Sequence, residues 1–267
     1  MELTVSAYTV SAAVPAPLRL AVLADLHGRP PKGLWERVRA LHPQALLLCG
    51  DTLHRPFGRE RERGLACLRA AASIAPTFCS LGNHETACPP AERAVLCRDI
   101  RKTGAVLLDN EAVRFGGLLI GGLPSPYAAD AAGNACFIGP DAAFLARFAA
   151  AQEEKLLLFH HPELYAPYIR PLPIRLTVAG HAHGGQWRLG GQGIYAPGQG
   201  LLPALTGGLY EGRLLVSRGL GNPCHLPRFS NPPEVCCLTL LPPGRTADQP
   251  LPPVGAAVRA AAQNSRR

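Results

Sequence analysis

The sequence predicts an α/β protein in which two β-sheets pack face to face with helices outside. Three observations carry this. Through the first hundred residues short apolar runs alternate with helical stretches, the pattern of β-α-β units. The last third is instead rich in strands and glycine, with few helices between. At 267 residues, 47% hydrophobic and 17% charged, the chain is globular and long enough to bury a substantial core. No internal repeat or linker divides it, so a single domain is expected over residues 1–241, with a tail over 242–267.

The elements follow in order. After a short lead-in, Leu18–Ala24 is almost wholly apolar, as a buried parallel strand is. Gly33–Leu41 is a helix that Pro43 ends, and Ala45–Cys49 is the next strand. Gly64–Ser73 is the second helix, and before it Arg59, Arg61 and Arg63 alternate with Glu60 and Glu62 in what reads as an exposed helix face. Thr77–Leu81 is a strand and Ala91–Arg101 a helix closed by Gly104. Ala105–Leu108, Val113–Gly122 and Lys155–Phe159 are strands, separated only by the helix Asp141–Ala151, which Asp141 caps. Leu176–Ala179, Gly193–Ala196, Arg213–Ser217 and Val235–Leu241 complete the strands. The tail from Pro242 to Arg267 is rich in proline, alanine and arginine, and is expected to be mobile or loosely docked.

Composition narrows the class of function. No apolar run approaches the roughly 18 residues of a transmembrane helix. Met1-Glu2-Leu3-Thr4 lacks the cationic start and apolar stretch of an export signal. Nine cysteines, an odd count without a C-x-x-C pair, fit a reducing compartment and argue against a structural zinc knuckle. The expectation is a cytoplasmic protein. The net charge of +8 favours anionic partners, whether nucleic acid, an acidic membrane face or a phosphorylated substrate, and does not choose among them.

Chemistry concentrates at strand ends. Asp25-Leu26-His27, Gly50-Asp51, Gly82-Asn83-His84-Glu85 and Gly180-His181-Ala182-His183 each follow an apolar run, and His160-His161-Pro162 follows Leu157–Phe159. Each alone is a weak signal: Gly-Asp is a common turn, and a His pair at i, i+2 is often structural. Together they deliver the carboxylate, amide and imidazole donors that hold first-row divalent metals, at the carboxyl ends of strands where α/β sheets gather ligands. The remaining glycine clusters, such as Gly190-Gly191-Gln192-Gly193, lack the strand–loop–helix context of a nucleotide-binding loop.

These motifs, from Asp25 to His183, resemble the calcineurin-like metallophosphoesterase superfamily, over most of the chain from Leu18 to about Leu241. A narrower resemblance, to the YkuE/YaeI-type bacterial phosphodiesterase branch, rests on Gly180-His181-Ala182-His183-Gly184-Gly185-Gln186, Ser217-Arg218-Gly219-Leu220-Gly221, Arg228-Phe229 and Pro233-Glu234. The resemblance implies a four-layer α/β/β/α sandwich and two divalent ions, Mn²⁺, Fe or Zn²⁺. One would be held by Asp25, His27, Asp51 and His183, the other by Asp51, Asn83, His160 and His181. Two such ions, about 3.5–4 Å apart, clamp phosphate oxygens and lower the pKa of a water whose hydroxide attacks phosphorus. His84 resembles the family's general acid or phosphate-binding histidine. Relatives often carry an acid three positions after the bridging aspartate; here that position is His54, so a carboxylate orienter for His84 is missing, unless Glu85 or a distant acid serves. His161 stands where an asparagine is usual.

The implied activity is cleavage of a phosphodiester or pyrophosphate bond, with lipid-linked or nucleotide-sugar envelope substrates among those of the resembling branch. A nuclease or cyclic-nucleotide phosphodiesterase is the alternative, and a non-catalytic scaffold of the same fold the third. The segment Leu164–Leu176, with Tyr165, Tyr168, Ile169, Arg170 and Arg175, reads either as a lipid-facing rim touching an anionic membrane or as a helix and loop completing the core. Arg218 and Arg228 read either as substrate contacts or as loop braces.

Overall fold

The computed structural model describes residues 1–130, 134–222 and 226–245. Twelve strands form two six-stranded sheets. They are β1 (Thr4–Ser11), β2 (Leu18–Leu23), β3 (Ala45–Cys49), β4 (Thr77–Ser80), β5 (Val106–Leu107), β6 (Glu111–Phe115), β7 (Leu118–Leu123), β8 (Glu154–Phe159), β9 (Leu176–Ala179), β10 (Gly208–Tyr210), β11 (Leu214–Val216) and β12 (Glu234–Leu241). The first sheet runs β1-β12-β2-β3-β4-β5 and the second β10-β11-β9-β8-β7-β6. β2 to β5 are mutually parallel, as are β7, β8, β9 and β11, so their carboxyl ends lie along a common edge of each sheet.

Alternation within the apolar strands builds three cores. Leu20, Val22, Leu47 and Cys49 meet Leu156, Leu158, Val178 and Leu215 between the sheets. The intervening Ala21, Leu23, Leu46 and Leu48 face α1 (Leu34–Ala40), α2 (Gly58–Ala72) and, beyond the single turn α3 (Asn83–Thr86), α4 (Pro90–Arg101) through Leu34, Leu65, Leu68 and Leu96. On the far side Leu157 and Phe159 face Phe144, Leu145 and Phe148 of α5 (Ala142–Ala150). A period of two in side-chain direction thus gives each inner strand two buried faces, which is why β3 is wholly apolar and β2, β8 and β9 carry polar side chains only near their starts, at Arg19, Glu154, Lys155 and Thr177. Each such leucine contributes about 1.5–3 kcal/mol of burial. The result is the expected α/β/β/α sandwich.

Individual elements differ from the sequence expectation. The lead-in is β1, an edge strand beside β12. Val113–Gly122 is not one strand: Gly116 and Gly117, at φ 60° and 85°, turn it into the β6–β7 hairpin. Gly193–Ala196 is divided between two short hairpins, Arg188–Leu189 with Gln192–Gly193 and Tyr195–Ala196 with Gly200–Leu201. α2 starts at Gly58 rather than Gly64, and Arg59 to Arg63 lie on it, the helix face expected of them. Asp141 caps α5, its Oδ1 accepting the amide of Phe144 at 2.8 Å. In the Leu164–Leu176 segment Tyr165 and Ile169 are buried in the core beside α5, the core-completing reading. Most of the tail expected over 242–267 lies outside the described residues. Among the described residues no helix is long and apolar enough to cross a membrane.

Candidate metal centre

Five loops leaving β2, β3, β4, β8 and β9 meet above the inter-sheet core. Asp25, His27 and His183 form one group of donors, and Asp51, His160 and His181 another; within each, one donor atom per residue lies within 4.8 Å of the others. Asp51 stands between them. Its Oδ2 is 3.2 Å from His160 Nε2 and 3.9 Å from His27 Nε2. Asp25 Oδ1 is 3.5 Å from His183 Nε2 and 3.7 Å from His160 Nε2. Asn83 and His84 line the same hollow of about 290 Å³ with Asp51, His181 and His183. Every residue expected at the site from the sequence is therefore brought to it.

The backbone sets direction as well as place. Asp25, His27, Asp51, His181 and His183 all adopt left-handed φ between 46° and 64°. Such conformations cost of order 1–3 kcal/mol each and persist where the surroundings over-determine them, commonly at functional sites. Gly50, at φ 77°, is required by contact too: a Cβ there would sit 2.5 Å from His160 Nδ1. The loops are tied by buried carboxylates. Glu85 Oε2 accepts the amides of Asp51 at 2.9 Å and Gly82 at 2.8 Å, and its Oε1 that of Leu53 at 2.8 Å. Asp51 Oδ1 accepts the amide of His84 at 2.9 Å, and both oxygens of Asp25 lie 3.1 Å from the amide of His181.

The electrostatics fit a cation. Burial lowers the pKa values of His27 and His181 to about 3, and that of His183 well below 6.5, so these imidazoles are neutral, the form that binds metal. Burial, with Asp51 beside it and His160 opposing, raises Asp25 to about 6. Burial also acts on Asp51, but His160, His84 and His27 hold its carboxyl well below the usual value. Burial opposes a charge on His160, yet Asp51 and Asp25 outweigh it and raise its pKa to about 10. A proton on His160 thus sits where a divalent ion would relieve the same carboxylates. His160 donates from Nδ1 to the Cys49 carbonyl at 2.7 Å, leaving Nε2 buried and out of hydrogen-bond alignment, and Asn83 Oδ1 is buried without a partner. Orphaned donors among carboxylates and neutral imidazoles suit a divalent metal ion.

Some assignments resolve differently from the sequence options. Glu85 does not orient His84, since its oxygens are occupied by main-chain amides. His84 Nδ1 instead lies 2.6 Å from the main-chain carbonyl of His54. Both arginines brace loops: Arg228 donates to the carbonyls of Arg218 at 2.8 Å and Gly221 at 2.6 Å, and Arg218 pairs with buried Glu234 at 3.1 Å. Sequence reasoning missed Glu163, whose Oε1 lies 3.7 Å from His181 Nε2, and Gln186, Tyr195 and Leu226, which wall the hollow. A carboxylate three residues beyond His160 was the available signal for Glu163.

A family model described as calcineurin-like phosphoesterase matches residues 18–185. The crystal structure of TT1561 of Thermus thermophilus is similar at 14% identity and a TM-score of 0.45, covering 61% of this chain and 81% of that one. A second solved structure is similar at 12% identity and a TM-score of 0.45, covering 62% and 84%. No curated protein matches the chain.

Proposed function

Since the chain belongs to the calcineurin-like phosphoesterase family, we propose that it is a dinuclear-metal-dependent phosphohydrolase that cleaves a phosphodiester or pyrophosphate bond. The observation that carries this is the position of Asp51, whose Oδ2 faces His160 on one side and His27 on the other. Asp25, His27, Asp51 and His183 would hold one ion; Asp51, Asn83, His160 and His181 the other. Two bound divalent ions supply Lewis-acid polarisation of the phosphate and a water made acidic enough to attack it.

The chain's own residues do the rest. His84 is the proton carrier. Its Nδ1–H donates to the His54 carbonyl, so Nε2, 3.9 Å from Asp51 Oδ2 and open to the hollow, is the atom that gives a proton to a leaving oxygen. Such general-acid help is worth about 10²–10⁴-fold. A scaffold role is disfavoured because donors and His84 converge in one hollow that is open to ligand.

A substrate with an apolar arm, of the lipid-linked kind met in the YkuE/YaeI-type branch, is supported by the walls. The hollow shares Gln186, Tyr195 and Leu226 with a neighbour of about 180 Å³, which shares Trp187 and Ile194 with a third of about 340 Å³ bounded by Leu189 and Phe229. Membrane contact, if the substrate resides there, would use this face.

The test is hydrolysis of bis-aryl phosphate, aryl phosphate and a UDP-linked lipid by protein reconstituted with Mn²⁺, Zn²⁺ or Mg²⁺. Turnover of the diester or pyrophosphate, abolished by chelator, is expected. Silence toward all three with every metal returns the chain to the scaffold reading, and preference for single-stranded nucleic acid to the nuclease reading.

A further inference from the structure

Behind the candidate centre runs a buried polar chain that no step above employs. Ser125, whose amide donates to the Leu81 carbonyl at 2.8 Å, has its Oγ 2.8 Å from His161 Nε2. His161 Nδ1 is 2.9 Å from Glu163 Oε1, and that oxygen is 3.7 Å from His181 Nε2. Ser125 and His161 are buried, and Glu163 Oε2 is buried without a partner. Neither Glu163 nor His161 lines the hollow. The rings of His161 and His181 lie 4.3 Å apart. Space for the carboxylate is reserved: Gly198 has φ 71°, and a Cβ there would come within 2.6 Å of Glu163 Oε1.

The tautomers follow from donors and acceptors. Glu163 is an acceptor, so His161 carries its proton on Nδ1 and accepts the Ser125 hydroxyl at Nε2. Both nitrogens of His161 are thereby used, which argues against a third cation held by His161, Glu163 and His181. The same carboxylate faces Nε2 of His181. An imidazole that donates from Nε2 keeps its lone pair on Nδ1.

We propose that Glu163 is the positioning residue for His181: it receives the Nε2–H of that ring and leaves Nδ1 as the donor atom for a divalent ion, with Ser125 and His161 holding Glu163 in place. Carboxylates behind metal-binding histidines commonly act this way. The role of His161, standing where the family usually has asparagine, is then to fix Glu163. The inference rests on the metal-centre reading but not on the identity of the substrate.

The experiment is Mn²⁺ binding by equilibrium dialysis, with ¹⁵N NMR of the histidine rings in metal-free protein. Wild type, Glu163→Gln, Glu163→Ala and His161→Asn are compared, each first shown to melt cooperatively. Glu163→Ala should lower the affinity for one of the two ions by about 10–100-fold and leave the other unchanged. Glu163→Gln, whose amide oxygen can accept the same proton, should recover most of that loss. In metal-free wild type His181 should be the Nε2–H tautomer, and Glu163→Ala should mix the two tautomers. Unchanged affinities in Glu163→Ala, a third bound ion lost with Glu163, or an Nδ1–H His181 would each overturn the proposal. If two ions bind as described and no phosphate ester is cleaved, the proposed function fails while Glu163 keeps its role.

Discussion

The imidazole Nδ1 of His84 lies 2.6 Å from the main-chain carbonyl oxygen of His54. The rings of the two residues stack at 5.3 Å, but it is the backbone of position 54, not its side chain, that fixes the tautomer of His84. A carboxylate at position 54 is therefore unnecessary.

His54→Ala should keep turnover of bis-aryl phosphate within about threefold, and His54→Asp should bring no gain on poor leaving groups. His84→Ala should cost about 10²–10⁴-fold on an alkyl ester and much less on a nitrophenyl ester, whose leaving group needs no proton. Steady-state rates on the two esters decide; equal losses would remove His84 from the acid role.

Glu85 holds three amides from two loops. Removing its carboxylate leaves buried N–H groups unpaired, at about 1–3 kcal/mol each. Glu85→Ala should lower Tm by several degrees, and metal binding should weaken with it because Asp51 is one of the residues tied. A thermal melt indistinguishable from wild type would contradict this.

The pH dependence of stability should depend on metal. Folding raises His160 from 6.5 to about 10, so its contribution is complete below pH 6.5 and is lost as pH rises through 10. Glu85, raised to about 7 by burial and Asp51, acts in the same sense up to that value. His27 and His181, lowered to about 3, cost stability only as pH falls below 6.5, outside that window. Buried Cys49, Cys67, Cys79 and Cys236, whose thiols burial raises above 9.0, cost both forms stability above pH 9. Between pH 7 and 9 chelated protein should thus lose Tm, whereas Mn²⁺-loaded protein, with an ion in place of the His160 proton, should hold it. Parallel curves in differential scanning calorimetry would argue against a cation at His160.

Leu226 and Phe229 are exposed on the apolar walls beside the centre. Across aryl phosphodiesters whose second alcohol carries two, six or ten carbons, kcat/KM should climb with length, by up to about fourfold per methylene buried. Leu226→Ser with Phe229→Ser should flatten that slope and leave the two-carbon ester unaffected. A slope already flat in wild type would leave no place for an apolar arm.

What the sequence made legible follows from where the information lies. Strands such as Ala45–Cys49 and Leu176–Ala179 announce themselves because both faces are buried, and their polar termini could be read as donors. β1 was hidden because its alternating edge pattern is half exposed. The β6–β7 hairpin was hidden because its two-glycine turn sits inside one apolar run. At the centre, side chains were legible and main chain was not: the His54 carbonyl has no residue-type signature, and Glu163 declares its use only once β8 and β9 set it beside His181.

The left-handed backbone at Asp25, His27, Asp51, His181 and His183 bears on which ions the cradle would accept. Donors mounted on such chain would shift outward for a larger guest only against the backbone conformation that aims them. Calcium, which prefers six to eight oxygens at about 2.3–2.6 Å, would meet a nitrogen-rich cage too stiff to widen, and should be turned away however plentiful it is.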